Sequence, residues 1–284
     1  MTPQQEDAQY ALMCLFAEDQ YDAYPATLEP PLDPRFASDW TLRGYVSGTD
    51  AILVAGTALS HGERVCYGVL LESKPAPGTF AIVIRGTKGI IEWIEDAIFS
   101  LTGYPFGGRV EVGFWSIYGS LAFHSLTGSE APLIPSLVGI LGPSANITVV
   151  GHSLGAALAT YLAVDLSSRR EPLTVSSRFF ASPHPGDGAF GLYAASLLKD
   201  CRSYAYALDM VPRVPFEFGY EQLPGTIKLG VDNVQARIRR SLMCSHHALS
   251  YATLLDGSAP AIALLSLDAP YVACLLSDAP QMTP

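Results

Sequence analysis

The sequence predicts an α/β fold with a mainly parallel central sheet and helices on both faces. Three observations predict it. From Phe80 onward strand-like and helix-like segments alternate, the pattern of parallel strands joined by crossover helices. The run Ala81-Ile82-Val83-Ile84 is apolar without a break, which suits a central strand covered on both faces. The β-branched run Ile147-Thr148-Val149-Val150 passes through Gly151-His152-Ser153-Leu154-Gly155 directly into the helix-forming stretch Ala156–Ala163. Strand, Gly-x-Ser-x-Gly and helix in that order is the context of a nucleophile elbow.

The elements follow in order. Residues 4–22 place Ala8, Ala11, Leu12, Leu15 and Phe16 at helical spacing, and Pro25, Pro30, Pro31 and Pro34 then break regular structure. Strands are expected at Leu42–Val46, Ile52–Ala55, Cys66–Glu72 and Phe80–Arg85. A helix-like segment runs from about Ile90 to Phe99, and further helices begin near Phe114 and Pro135. After the elbow come a strand at Val175–Ala181, a turn and helix over Pro185–Lys199, a strand at Ser203–Leu208 that leads to Asp209, and a helix at His246–Leu255. No linker or repeat divides the 284 residues, so one domain over 1–284 is expected.

Composition sets limits on function. Hydrophobic residues make up 49% and charged residues 15%, with a net charge of −10. Nucleic acid is an unsuitable partner for so acidic a chain, and contact with anionic lipid would have to be apolar. Cys14, Cys66, Cys201, Cys244 and Cys274 are scattered without a C-x-x-C pair, so they read as small buried side chains rather than metal or redox motifs. The N-terminal residues lack the basic and apolar regions of a leader, and no apolar run reaches the length of a membrane span. On that basis the protein is expected to be cytoplasmic or otherwise intracellular.

A serine hydroxyl needs a base within hydrogen-bond reach and an acid to orient that base. The order Ser, then Asp or Glu, then His is that of the α/β-hydrolase fold. Asp209 ends a strand and precedes Met210-Val211-Pro212-Arg213-Val214-Pro215, whose prolines fix the chain; Glu217, Glu221 and Asp232 lie in less regular segments. His61, His124 and His184 come before the acid, and His152 lies inside the elbow. That leaves His246 or His247 as the base. For the oxyanion, the Leu154 N–H follows the nucleophile, and Arg85-Gly86-Thr87 at an earlier strand end offers Thr87 as the second donor. No metal or organic cofactor is implied.

Taken together these segments resemble the class 3 lipases, which include fungal-type lipases, feruloyl esterases and plant phospholipases A1. Ile84-Arg85-Gly86-Thr87 resembles the family's oxyanion strand end, and Trp93-Ile94-Glu95-Asp96 its W-x-x-D segment. Val112-Gly113-Phe114 with Tyr118 is similar to the V-H-x-G-F…Y entry, with Glu111 near the place where His is usual. Ser182–Asp187 with Phe190, Asp209-Met210-Val211-Pro212, and His246 with Tyr251, Asp256 and Gly257 resemble the later motifs. The resemblance covers about residues 40–257. Its last motif favours His246 over His247. It implies a carboxylic ester hydrolase, foremost a triacylglycerol lipase, with a feruloyl esterase or phospholipase A1 as alternatives. A lipid-binding scaffold with a silent triad is the non-enzymatic alternative.

The family places its lid after the oxyanion strand, here residues 88–109. Ile91, Trp93, Ile94, Ile98 and Phe99 are the lid or acyl-contact candidates, with Gly103, Gly107 and Gly108 as hinge candidates. An ordinary core helix is the other reading of that stretch. An apolar lid would give transient contact with a lipid interface.

Overall fold

The computed structural model describes residues 1–50, 53–54, 57–58, 62–87, 99–169, 173–230, 238–259 and 274–275. Nine strands form one sheet: β1 (Trp40–Thr49), β2 (Arg64–Ser73), β3 (Thr79–Ile84), β4 (Ala122–His124), β5 (Glu130–Pro132), β6 (Asn146–His152), β7 (Thr174–Phe180), β8 (Asp200–Tyr206) and β9 (Ile227–Leu229). Their spatial order is β9-β8-β7-β6-β3-β2-β1-β4-β5. Among the described residues the helices are α1 (Pro3–Ala23), α2 (Val112–Gly119), α3 (Leu133–Leu141), α4 (Leu154–Ser167), α5 (Gly188–Leu197), α6 (Leu242–His246) and α7 (Ala248–Leu255).

The sheet has two halves. Strands β3, β6, β7, β8 and β9 run parallel, and β3, β2, β1, β4 and β5 pair antiparallel. The parallel half matches the alternation after Phe80. The antiparallel half follows from short connections such as Lys74–Gly78 between β2 and β3, too short for a crossover helix. Strands β4, β5 and β9 have three residues each, too few for a periodic signal in the sequence.

The register puts the parallel strand ends level. Gly151 lies opposite Ile84, and His152 lies opposite Phe180. Residues that follow β3, β6 and β8 therefore gather at one carboxyl edge, where α/β sheets bind ligands.

Each face of the sheet has its own core. Helix α4 is buried on nearly every side, as expected of a helix with no polar face. It packs with Ile82, Ile84, Val149, Phe114 and Phe190. On the opposite face α1 buries Ala8, Ala11, Leu12, Leu15 and Phe16 against Val83, Val150, Leu249 and Tyr251. Thr2 and Gln5 close a capping box that starts α1. Near its N-terminus, buried Asp7 accepts from Arg178 on β7 (2.7 Å), Arg202 on β8 (2.8 Å) and the Tyr204 hydroxyl (2.5 Å).

The expected strand Ile52–Ala55 is described only as Leu53–Val54, paired with Thr57–Ala58. Half of the expected lid, residues 88–98 with Ile91, Trp93, Ile94 and Ile98, lies outside the described residues. Its later part is a two-stranded ribbon, Leu101–Gly103 against Arg109–Glu111. Buried Tyr104 fixes the ribbon by packing edge-on to Trp115 of α2 and Phe190 of α5. Gly107 (φ 130°) and Gly108 (φ 77°) lie in the ribbon's turn, and a Cβ on Gly108 would lie 2.2 Å from the Phe190 amide nitrogen.

The cysteine reading needs correction. Cys14, Cys66 and Cys201 are free, but Cys244 and Cys274 form a disulfide across 30 residues of sequence. Pairing at that distance follows from three-dimensional proximity, which scattered cysteines do not reveal in sequence.

Candidate active site

Ser153 sits between β6 and α4 with φ 59° and ψ −133°. An L-residue rarely adopts this backbone, and it costs about 1–3 kcal/mol unless the surroundings enforce it. The flanking glycines show the enforcement. A Cβ on Gly151 would lie 2.4 Å from the Gly155 carbonyl oxygen, and one on Gly155 would lie 2.3 Å from that of Arg85. Only bare backbone lets β6, α4 and the end of β3 meet this closely. The Ser153 amide donates to the Phe180 carbonyl oxygen (2.9 Å), which locks the turn onto β7.

Three side chains from distant segments converge there. The Ser153 Oγ lies 2.8 Å from His246 Nε2, and His246 Nδ1 lies 2.9 Å from Asp209 Oδ2. All three are buried, with Ser153 and Asp209 each 1% exposed and His246 7%. With Nδ1 donating to the carboxylate, Nε2 carries the lone pair that can accept the serine proton. Asp209 Oδ1 accepts from the Val211 amide (2.9 Å), so the turn with its prolines holds the carboxylate still.

The neighbouring histidine does a different job. His247 Nδ1 accepts from the Leu249 amide (3.2 Å) and caps α7. Burial pushes its imidazole down to about 4, against the pull of Glu18, so the ring stays neutral and keeps its lone pair for the cap. His184 contacts the Pro215 carbonyl oxygen (3.1 Å) and His124 contacts Glu29 (2.8 Å), so neither joins Ser153.

Of the other sequence candidates, Leu154 opens α4 and is buried beside the serine. Thr87 is half-buried just beyond Gly86, where a Cβ would lie 3.1 Å from that of Ser153. Arg85 holds this strand end by donating to the Cys66 (2.7 Å) and Gly86 (2.7 Å) carbonyl oxygens, with its guanidinium 3.5 Å over the Tyr21 ring. Phe99 is the one lid candidate among the described residues, and its ring meets Tyr220 edge-on at 6.4 Å. Glu111 accepts from the Phe114 amide (2.7 Å) as the N-cap of α2.

Sequence reasoning missed three contributors. The Tyr251 hydroxyl donates to Asp209 Oδ2 (2.8 Å) and accepts from the Tyr206 amide (3.0 Å). His152 and Glu18 pair behind the histidine at 2.8 Å. Tyr251 lies in a motif visible in sequence; nothing there links Glu18 to the elbow.

Residues 81–219 match the family described as "Lipase (class 3)". The match spans just under half of the chain, and over it the expected resemblance to the class 3 lipases holds. It is 29% identical over 194 residues to a lipase of Rhizomucor miehei, covering 63% of this chain and 50% of the relative. It is 32% identical over 144 residues to the secreted mono- and diacylglycerol lipase A of Penicillium camembertii, covering 49% of this chain and 44% of the relative. The chain thus spans about half the length of these curated relatives or less. The solved structure of the Rhizomucor miehei triacylglyceride lipase superposes with a TM-score of 0.58 at 25% identity, covering 82% of this chain and 83% of that one. The structure therefore has the α/β-hydrolase fold.

The same relatives correct the expected location. The Penicillium relative is named as secreted, which points outside the cell rather than to an intracellular place. A disulfide also suits an oxidising compartment.

Proposed function

We propose that this protein hydrolyses carboxylic esters of the acylglycerol class. The carrying observation is the unbroken line from Ser153 Oγ to His246 Nε2 and from His246 Nδ1 to Asp209, at 2.8 and 2.9 Å. In this reading Ser153 attacks the ester carbonyl while His246 takes its proton. Asp209 holds the imidazole in the required tautomer and stabilises its charged form. The Leu154 amide, at the positive end of α4, and Thr87 donate to the oxyanion. His246 returns the proton to the leaving alcohol, and water then releases the acyl group by the same path.

A lipid surface is the proposed place of encounter. Supporting this, Phe216 and Phe218 follow Asp209 in the chain, Leu242 and Met243 precede His246, and all four are exposed, Phe218 fully. An acidic protein with apolar side chains beside its site meets lipid through those side chains rather than through charge. Among the described residues no helix is long and apolar enough to cross a membrane.

The test is hydrolysis of p-nitrophenyl esters of increasing chain length, below and above substrate solubility, followed by triglyceride emulsion, phospholipid and feruloyl substrates. Acylglycerol turnover that rises at the interface is expected. Preference for phospholipid or feruloyl ester would move the assignment to those substrates. A Ser153 unreactive toward an organophosphonate would support the scaffold reading instead.

A further inference from the structure

Helix α6 ends at His246, and the carbonyl of a helix's last residue has no partner within the helix. Here that carbonyl oxygen faces His152 Nε2 at 2.7 Å, while His152 Nδ1 faces Glu18 Oε1 at 2.8 Å. A neutral imidazole carries one N–H. Two acceptors on opposite sides of the ring therefore call for the imidazolium, with Glu18 as its counter-charge. The surroundings agree. Burial alone would push the Glu18 carboxyl up and the His152 imidazole down. Their mutual charge outweighs it, holding Glu18 down to about 2 and His152 above its ordinary value.

The groups facing the pair come from three segments. They are Cys14 on α1, Asp209 after β8, and His246, His247 and Tyr251 on α6, α7 and their junction. His247 is held neutral, so it adds no competing charge. The His152 and His246 rings lie 4.8 Å apart at 33°. Glu18 Oε1 also accepts from the Gly86 amide (3.3 Å), tying the end of β3 to the same carboxylate. Asp7 anchors the start of α1 through Arg178 and Arg202, so Glu18 sits on a helix fixed at both ends.

We propose that Glu18 and His152 are a positioning pair for His246: the His152 imidazolium, held by Glu18, grips the His246 carbonyl oxygen and sets the imidazole against Ser153. The inference rests on the reading of His246 as the base. It makes α1, outside the family-matched residues 81–219, a working part of the site.

Two near-isosteres of His152 test it. Glutamine can place its amide donor where Nε2 stands and keep the grip on the carbonyl. Asparagine places its donor nearer Nδ1 and serves only Glu18. On a soluble short-chain ester, kcat of His152→Asn should fall about 10- to 100-fold with little change in KM, the scale expected of a misplaced catalytic group. His152→Gln should recover most of that loss. Equal kcat in the two variants overturns the proposal. NMR of the ¹⁵N-histidine-labelled wild type supplies an independent reading: one imidazole should keep two N–H protons above pH 7 and lose one of them in Glu18→Gln. A singly protonated His152 at pH 7 overturns the proposal even if the variants fail to fold. A wild type with no esterase activity and an unreactive Ser153 sinks the underlying reading instead.

Discussion

The nucleophile and its partner histidine are held in opposite ways. Ser153 is fixed by packing and backbone: two glycines, a buried parallel strand, an apolar helix and its amide bond to Phe180 leave it one conformation. His246 ends a five-residue helix that adjoins one of eight residues, and polar ties hold it. Asp209 takes its Nδ1, His152 takes its carbonyl, Ser241 caps α6 through the Cys244 amide, His247 caps α7, and a disulfide leaves Cys244. Packing tolerates almost no substitution and needs no particular charge state. Polar ties tolerate substitution one at a time and answer to pH. The elbow should therefore behave as a rigid frame and the histidine segment as the adjustable part.

The largest effects cut the line between the two regions. His246→Ala should lower kcat about 10⁶-fold with the fold intact, on the scale of a base removed from a serine hydrolase, as steady-state ester hydrolysis and circular dichroism would show. Asp209→Asn should cost about 10⁴-fold in kcat, since the amide favours the wrong tautomer of His246. A histidine line left working after either change would break the contrast.

Stability effects come next and bear on the adjustable side. Replacing Cys244 and Cys274 together by serine frees a 30-residue loop and should lower unfolding free energy by about 2–4 kcal/mol in denaturant titration. His247→Ala removes a helix cap and should cost about 1 kcal/mol while Ser153 still takes an organophosphonate. If His247→Ala instead silences the serine and His246→Ala does not, the two histidines have exchanged roles.

The smallest effect sharpens the pH contrast. Glu18, held below its ordinary 4.5, gives stability that is present above that value and lost as pH falls toward about 2. His152, held above its ordinary 6.5, gives stability present below that value and lost as pH rises through its folded-state value. The Tm gap between wild type and Glu18→Gln should therefore be widest between pH 4.5 and 6.5 and narrow on both sides. A gap independent of pH would deny the ion pair.

What was legible in the sequence follows the same division. The elbow could be read because its constraint is local: glycines, β-branched strand and apolar helix adjoin within seventeen residues of chain (147–163). Asp209 was marked by its strand and prolines, and the His246 motif separated two adjacent histidines that composition could not. The ties behind His246 were not legible. Glu18 meets His152 across 134 positions, and Tyr251 meets Asp209 across 42. Glu18 also looked like the polar face of an ordinary amphipathic helix. The antiparallel edge was hidden for another reason: strands β4 and β5 are too short to show a period.

The order of these residues along the chain has a consequence during synthesis. Glu18 leaves the ribosome well before the serine, and the imidazole follows the serine by 93 positions. The Cys274 thiol that fastens the last segment comes later still. A growing chain that has already shaped its elbow therefore holds an inert alcohol, and reactivity is conferred only once the later imidazole has emerged.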